Sequence, residues 1–312
     1  MNYITAYDTI IVITSHNYVK SFQYTEKYMN IKFHCEEASN FKRQTSFVNA
    51  FTYTDYSIDP HTHDFYEMNI VMDGHGIHQI ESAVFEARSG DVFVIPPMTS
   101  HAYYNTEHLE VYHILLKKEF VRGNRDESVT VPGFLQLMEI EPFIRQNCSE
   151  SLFLHLNPAQ LTEIRSELKF IENNGAFDDE AFLPIHRHAT WKILYYLSHL
   201  LSKQNDGEKK TLPSKYKQQI LDTLEYLHRH FGEKISIDSL AERVYLSRST
   251  FIRSFQAFCG CSPIQYLTNY RAKKAMELLE NSTIFKTEVA HACGFYDLSH
   301  MEKSIKKASP DN

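Results

Sequence analysis

Two segments near the C-terminal end repeat one pattern, and the repetition leaves few choices for what they can fold into. The first reads Ser236-Ile-Asp-Ser-Leu-Ala-Glu-Arg-Val-Tyr-Leu-Ser-Arg-Ser-Thr-Phe-Ile-Arg-Ser-Phe255. The second reads Lys286-Thr-Glu-Val-Ala-His-Ala-Cys-Gly-Phe-Tyr-Asp-Leu-Ser-His-Met-Glu-Lys-Ser-Ile305. In the first, Ser236 can cap a short helix carrying Ile237, Leu240, Ala241 and Val244 at helical spacing. Ala241 is small where two helices must cross closely. Tyr245-Leu246-Ser247 then makes a turn, and Phe251 and Phe255, one helical turn apart, anchor a second helix. One such unit is imitated by many small helical bundles. Two in tandem predict a pair of helix-turn-helix units.

Between the units, Ser262-Pro263 opens a stretch predicted to be helical over 263–280. Ile264, Leu267, Tyr270, Met276 and Leu279 suit its buried stripe, with Arg271, Lys273 and Lys274 outside. At ~1.5 Å per residue the rod is roughly 25 Å long. That suits two recognition helices about one DNA turn apart, ~34 Å. The outward face of the first unit's second helix offers Arg248, Ser249, Thr250, Ile252, Arg253 and Gln256. A solvated face without a partner has similar composition, but the tandem copy favours entry into a major groove.

Charge supports the division. The chain carries −7 overall, yet residues 213–312 hold 14 Lys+Arg against 11 Asp+Glu, and residues 1–212 hold 18 against 28. An acidic control region therefore precedes a mildly basic reader. So small a positive surplus predicts phosphate contacts from a few placed residues and helix N-termini. The length of 312 residues suits about two domains, and 43% hydrophobic residues favour globular ones. Cys35, Cys148, Cys259, Cys261 and Cys293 form no C-x-x-C pair, so reduced thiols are expected. Ile10-Ile-Val-Ile13 is too short to span a membrane and reads as a β-strand. A soluble, cytoplasmic chain without membrane attachment is expected.

The fold class expected is α+β in two domains. Residues 1–45 are an unassigned N-terminal extension. From 46 to 130, short runs such as Phe65-Tyr-Glu-Met-Asn-Ile-Val-Met72 and Asp91-Val-Phe-Val-Ile95 alternate with turn signals and predict a small barrel or sandwich. Residues 131–203 turn helical, with Leu161, Ile164, Leu168 and Ile171 on one stripe after Asn157-Pro158, and Trp191, Leu194, Leu197 and Leu201 on another. These stripes either pack on the barrel or form a dimer seam. Residues 204–214 are polar and aperiodic and read as the linker, and 215–312 form the reader.

Within the predicted barrel, His61, His63 and Glu67 are separated by even offsets, so one strand face can carry them together. His101 follows Gly90 and Pro96. Three imidazoles and a carboxylate suit a divalent ion. They equally suit hydrogen bonding to an organic ligand without metal, or a satisfied structural network. No nucleophile triad, phosphate loop or dinucleotide fingerprint is present.

The spacing of these four residues resembles the two-part signature of the cupin family, whose fold is a double-sheet β-barrel; Met98 stands where that family usually has Gly. The C-terminal pattern Leu240-Ala241, Leu246-Ser247, Phe251, Phe255, Gly260, Ser262-Pro263, Tyr266-Leu267, Arg271, Ala275, Leu278-Leu279, Val289-Ala290, Cys293-Gly294-Phe295 and Ser299-His300 resembles the AraC/XylS family of bacterial transcription regulators. The resemblance implies a cupin-like sensor joined to a tandem reader, with no catalytic residues and no required cofactor, a divalent metal in the barrel staying open. It implies base reading by Ser249, Ile252 and Arg253 in the first unit and by Leu298, Ser299 and Lys303 in the second. The implied partners are double-stranded DNA across two adjacent major grooves, a small-molecule effector such as a sugar, a second copy of the chain, and RNA polymerase. Tyr245 replaces the family's usual turn glycine, a position that calls for positive φ. The sequence ends at Asn312, short of the family's closing helix, and Met301 and Ile305 stand where Phe is usual, which implies an under-packed second unit. Two other readings stay open: a metal-dependent cupin enzyme, and a regulator whose second unit is weakened.

Overall fold

β-Branched and aromatic residues at period two build the N-terminal half. In the computed structural model, residues 8–13, 19–24, 31–33, 48–145, 153–175, 182–207, 214–281 and 284–308 are described. Cys35 and Cys148 lie outside them. Strands β1 (Asp8–Ile13) and β2 (Val19–Tyr24) pair antiparallel by themselves, so Ile10–Ile13 is a strand as expected. An eight-stranded sheet holds β3 (Ile31–Phe33), β4 (Val48–Tyr53), β5 (Ile58–His63), β6 (Tyr66–Ile80), β7 (Ala83–Arg88), β8 (Asp91–Ile95), β9 (His101–Leu116) and β10 (Leu154–His155). Its path runs β10-β8-β6-β9-β5-β3, with β4 on β9 and β7 on β6. All pairings are antiparallel except β3 with β5.

The two long strands organise this unit. β6 and β9 pair from Tyr66↔Leu116 to Ile80↔His101, with register shifts between Val71 and Ile77 that bend the ladder. Alternation then sorts side chains to two faces. Met68, Ile70, Met72, Val92, Val94, Tyr112 and Ile114 face one core, while Val71, Phe93, Ile95, Tyr103 and Val111 face the other. Glu67, Asn69 and His113 share the parity of the second face, and all three are buried.

Helices α4 (Pro158–Gly175) and α5 (Leu183–Gly207) cover the first face. Asn157 caps α4: its Oδ1 accepts from the Gln160 N–H at 3.0 Å, and Gln160 Oε1 accepts from the Asn157 N–H at 2.9 Å. The stripes Leu161–Ile171 and Trp191–Leu201 are buried against Met68, Ile70 and Ile114, so packing within the chain consumes them. Short helices α1 (Lys118–Arg122), α2 (Arg125–Ser128) and α3 (Glu141–Ile144) and a π turn over Gln136–Ile140 complete this stretch. Residues 204–207, expected in the linker, form the last turn of α5. Gln204 explains the difference, because its amide accepts from the His155 N–H at 3.0 Å and donates to the Phe153 carbonyl at 3.3 Å, anchoring the helix end to β10.

The chain divides into two units, Met1–Pro142 with Phe153–Gln204, and Phe143–Leu152 with Asn205–Asn312. The second is helical: α6 (Lys217–His230), α7 (Ile237–Arg243), α8 (Arg248–Cys259), α9 (Pro263–Asn281), α10 (Lys286–Ala292) and α11 (Leu298–Ala308). Ser236 and Ser239 form a capping box for α7, Ser247 caps α8, and Gly260 at φ +71° ends α8 in the left-handed region. On α9 the buried residues include Pro263, Tyr266, Leu267, Tyr270, Ala272 and Ala275.

Three side chains of α9 depart from the sequence-based assignment, and one of them is Lys274, expected outside but only 13% exposed. Ile264, expected inside, is 46% exposed. Arg271, expected outside, turns inward and donates to the Phe231 and Glu233 carbonyls at 2.7 and 2.6 Å. Those carbonyls follow the end of α6 and need donors, so the helix presents Arg271 to them. Met301 is fully buried among Val289, Ala290, Cys293 and Phe295, and Ile305 packs against that cluster. Among the described residues, no helix is long and apolar enough to cross a membrane.

Candidate DNA-reading surface and sensor site

The second helix of each repeat presents a matching pair of polar residues. On α8, Ser249 and Arg253 lie one turn apart and both are exposed; on α11, Ser299 and Lys303 do the same. Ile252 and Leu298 are half-buried beside them, and Leu298 packs on the cluster around Met301. Thr250 is half-buried in the cap: its N–H donates to Ser247 Oγ at 3.3 Å, and Ser247 Oγ donates to Thr250 Oγ1 at 2.9 Å. Arg248 is exposed, with its Nη1 2.6 Å from Asp238 Oδ1 on α7. Asp297, which the sequence reading passed over, caps α11 by accepting from the His300 N–H at 2.7 Å. Tyr245 takes φ +55° at the first turn, as the glycine position requires, with its side chain in solvent; Gly294 takes φ +74° at the second.

The candidate sensor site lies where β5, β6 and β9 meet. His61 pairs with His101 across β5 and β9, and β6 places Glu67 nearby. His61, His63, Glu67 and His101 are all buried, so the structure brings together the four residues that the sequence singled out. A ligand atom each from His61, Glu67 and His101 falls within a 4.8 Å cluster. His63 Nε2 lies 3.0 Å from Glu67 Oε2, and His101 Nε2 lies 3.4 Å from the same oxygen. Met98, at φ +64°, donates its N–H to the His63 carbonyl at 2.7 Å and so ties the turn before His101 to β5.

Each imidazole is oriented by a backbone carbonyl two residues away. Nδ1 of His61 contacts the Asp59 carbonyl at 2.9 Å, that of His63 the Phe65 carbonyl at 2.8 Å, and that of His101 the Thr99 carbonyl at 3.4 Å. A carbonyl only accepts, so Nδ1 carries the proton in each case. His113 was missed by the sequence reading; its Nδ1 donates to Glu67 Oε1 at 2.7 Å. Its even offset from His101 along β9 was the available signal. Asn69, also missed, is fully buried with no hydrogen-bond partner for its amide oxygen or nitrogen.

Burial and mutual repulsion set the ionisation. Burial, with His101 adding to it, pushes His61 down to about 4. Burial likewise lowers His101. Burial pushes Glu67 up, but the surrounding His101, His113 and His63 outweigh it and hold the carboxyl well below its ordinary range. The site is a carboxylate beside two imidazoles, His61 and His101, that burial holds in the neutral form.

A separate cavity of about 570 Å³ opens in the same unit, lined in part by Phe120, Asn124, Glu127, Arg187, Trp191 and Tyr195. Trp191 stacks on Phe120 at 4.7 Å, and the Tyr195 hydroxyl accepts from Asn124 Nδ2 at 2.6 Å. No sequence signal marked it, because its lining comes from three separated segments.

Comparison with known proteins matches both halves of the chain. Residues 43–161 match the AraC-like ligand binding domain family, and residues 240–309 match a helix-turn-helix domain family. The chain belongs to the AraC/XylS family of transcription regulators. Its curated relatives include the HTH-type transcriptional activator RhaS of Escherichia coli O81 (strain ED1a), 27% identical over 247 residues that cover 79% of this chain and 83% of the relative. RhaS of Escherichia coli O1:K1 / APEC is 26% identical over the same coverage. Among solved structures, the DNA-binding domain of AdpA in complex with a target DNA is 30% identical over 30% of this chain and 83% of that one, with a TM-score of 0.29. This AraC/XylS regulator is therefore a DNA-binding protein under effector control, with an antiparallel, cupin-like sensor and a helical tandem reader.

Proposed function

We propose that the regulator reads two successive major grooves, using Ser249, Ile252 and Arg253 from α8 and Leu298, Ser299 and Lys303 from α11. The matching exposed pairs Ser249/Arg253 and Ser299/Lys303 carry this reading. In it, α9, with 19 residues or roughly 28 Å, spaces the two helices. Arg253 bonds a guanine edge, and Lys303 a guanine or a phosphate. Ile252 and Leu298 offer packing against a thymine methyl. Arg248 and Thr250 flank the helix start, where backbone N–H groups face a phosphate. Arg253→Ala is expected to lower specific operator affinity by ~1–3 kcal/mol and to relax one base position. Fluorescence anisotropy on operator variants at physiological salt measures both, and unaltered affinity would refute the register.

The effector in this reading is a small polar metabolite, a sugar or a relative of one, held in the sensor at His61, His63, Glu67 and His101. The unpartnered Asn69 amide supports a polar ligand. The relatives' description as transcriptional activators favours activation, with RNA polymerase as the partner and a homodimer as the working form, in the cytoplasm and without catalysis. A sugar panel in a thermal-shift assay tests the effector, since a ligand at 100 times its Kd adds ~2.7 kcal/mol of stability.

A further inference from the structure

We propose that the cavity lined by β4, α1, α2 and the start of α5 binds a free amino acid with a large apolar side chain, its carboxylate held by Arg187 and its ammonium by Glu127. The cavity is distinct from the histidine–glutamate cluster, and its volume of about 570 Å³ suits a small organic ligand. The apolar part of the lining is aromatic. Phe120 and Trp191 stack at 4.7 Å, and Tyr195 tilts against Trp191 at 5.4 Å. Such a wall takes an apolar body and gives it little that is polar.

The polar groups beside that wall are spent on one another. Ser128 Oγ donates its proton to the Asn124 carbonyl at 2.7 Å. The Tyr195 hydroxyl therefore donates to Ser128 Oγ at 3.1 Å, and it accepts from Asn124 Nδ2 at 2.6 Å. Polar recognition is left to the charged lining residues, Glu127 on α2 and Arg187 on α5. Both are exposed, and among the described residues neither side chain makes an ion pair or hydrogen bond, not even with the other. Opposite charges that line one cavity without meeting select for a ligand that carries both signs. A simple organic acid would bring its charge beside Glu127, and a simple amine beside Arg187; like charges so placed repel. A zwitterion satisfies both, with the guanidinium gripping the carboxylate through paired N–H donors.

The experiment titrates the full chain with L-phenylalanine, L-leucine and L-methionine in a calorimeter, beside 3-phenylpropionate, which lacks the ammonium, and phenethylamine, which lacks the carboxylate. The expected result is one amino acid per chain, with both analogues of L-phenylalanine weaker by at least about tenfold. Arg187→Gln and Glu127→Gln should each weaken amino-acid binding by a similar factor, and circular dichroism shows that the variants are folded. The analogue series needs no variant, so a misfolded variant leaves the test intact. Binding of none of the three amino acids overturns the proposal. So does 3-phenylpropionate or phenethylamine binding as tightly as L-phenylalanine. Undiminished binding in both charge variants puts the amino acid elsewhere on the chain and overturns it as well.

Discussion

At the scale of single residues, backbone demand and residue identity diverge at two turns. Met98 and Tyr245 hold positive φ where glycine is easier, and each is flagged by sequence alone because the resembling families place glycine there. His61, His63, Glu67 and His101 were legible for a related reason, since even spacing on a strand fixes a common face. His113 carried only its even offset from His101 and Asn69 no such signal, because their meeting depends on the β6–β9 register, which places Asn69 opposite His113. Cys293 supports a prediction at this scale. Burial pushes its thiol up from 9.0 to about 11, so the native state holds the neutral form while an unfolded chain ionises near 9.0. Its contribution to stability is complete below pH 9.0 and is lost as pH rises towards 11. Thermal melts from pH 7 to 11 should therefore fall more steeply for the wild type than for Cys293→Ala.

At the scale of elements, helix starts were the most legible feature. Ser236 caps the helix that the sequence assigned to it, and Ser247 and Asn157 cap the starts of α8 and α4, because a cap is a local contract between one side chain and the next turn. The rotation of α9 was less legible. Its inward face depends on Arg271 meeting carbonyls beyond the end of α6, a partner about forty positions earlier in the chain. The second repeat has a dense centre in Met301, which replaces the aromatic residue of the family yet is fully buried. Met301→Ala should cost ~2–5 kcal/mol by deleting buried contacts. A denaturation curve followed by circular dichroism measures this, and a loss below ~1 kcal/mol would mean that α11 contributes little to the fold.

At the scale of the whole molecule, charge separates the two tasks. An acidic first part and a mildly basic second part leave little diffuse attraction to DNA, so affinity depends on individually placed cations. Lys303→Ala should then reduce the slope of log affinity against log salt by about 1 if Lys303 meets a phosphate. An unchanged slope with relaxed specificity would assign it to a base edge. The division into a sheet-based sensor and a helical reader was legible from the change of hydrophobic period along the chain. The buried α4 and α5 stripes were not fully so, since periodicity identifies an apolar face without naming what covers it.

The lone tryptophan of the chain, Trp191, stacks on Phe120 beside the 570 Å³ cavity. All emission excited at the red edge of the aromatic band thus originates in the sensor, and none in the reader. The native protein carries its own optical probe: quenching or a spectral shift on adding a candidate metabolite reports an event in the sensor, without a label and without DNA present.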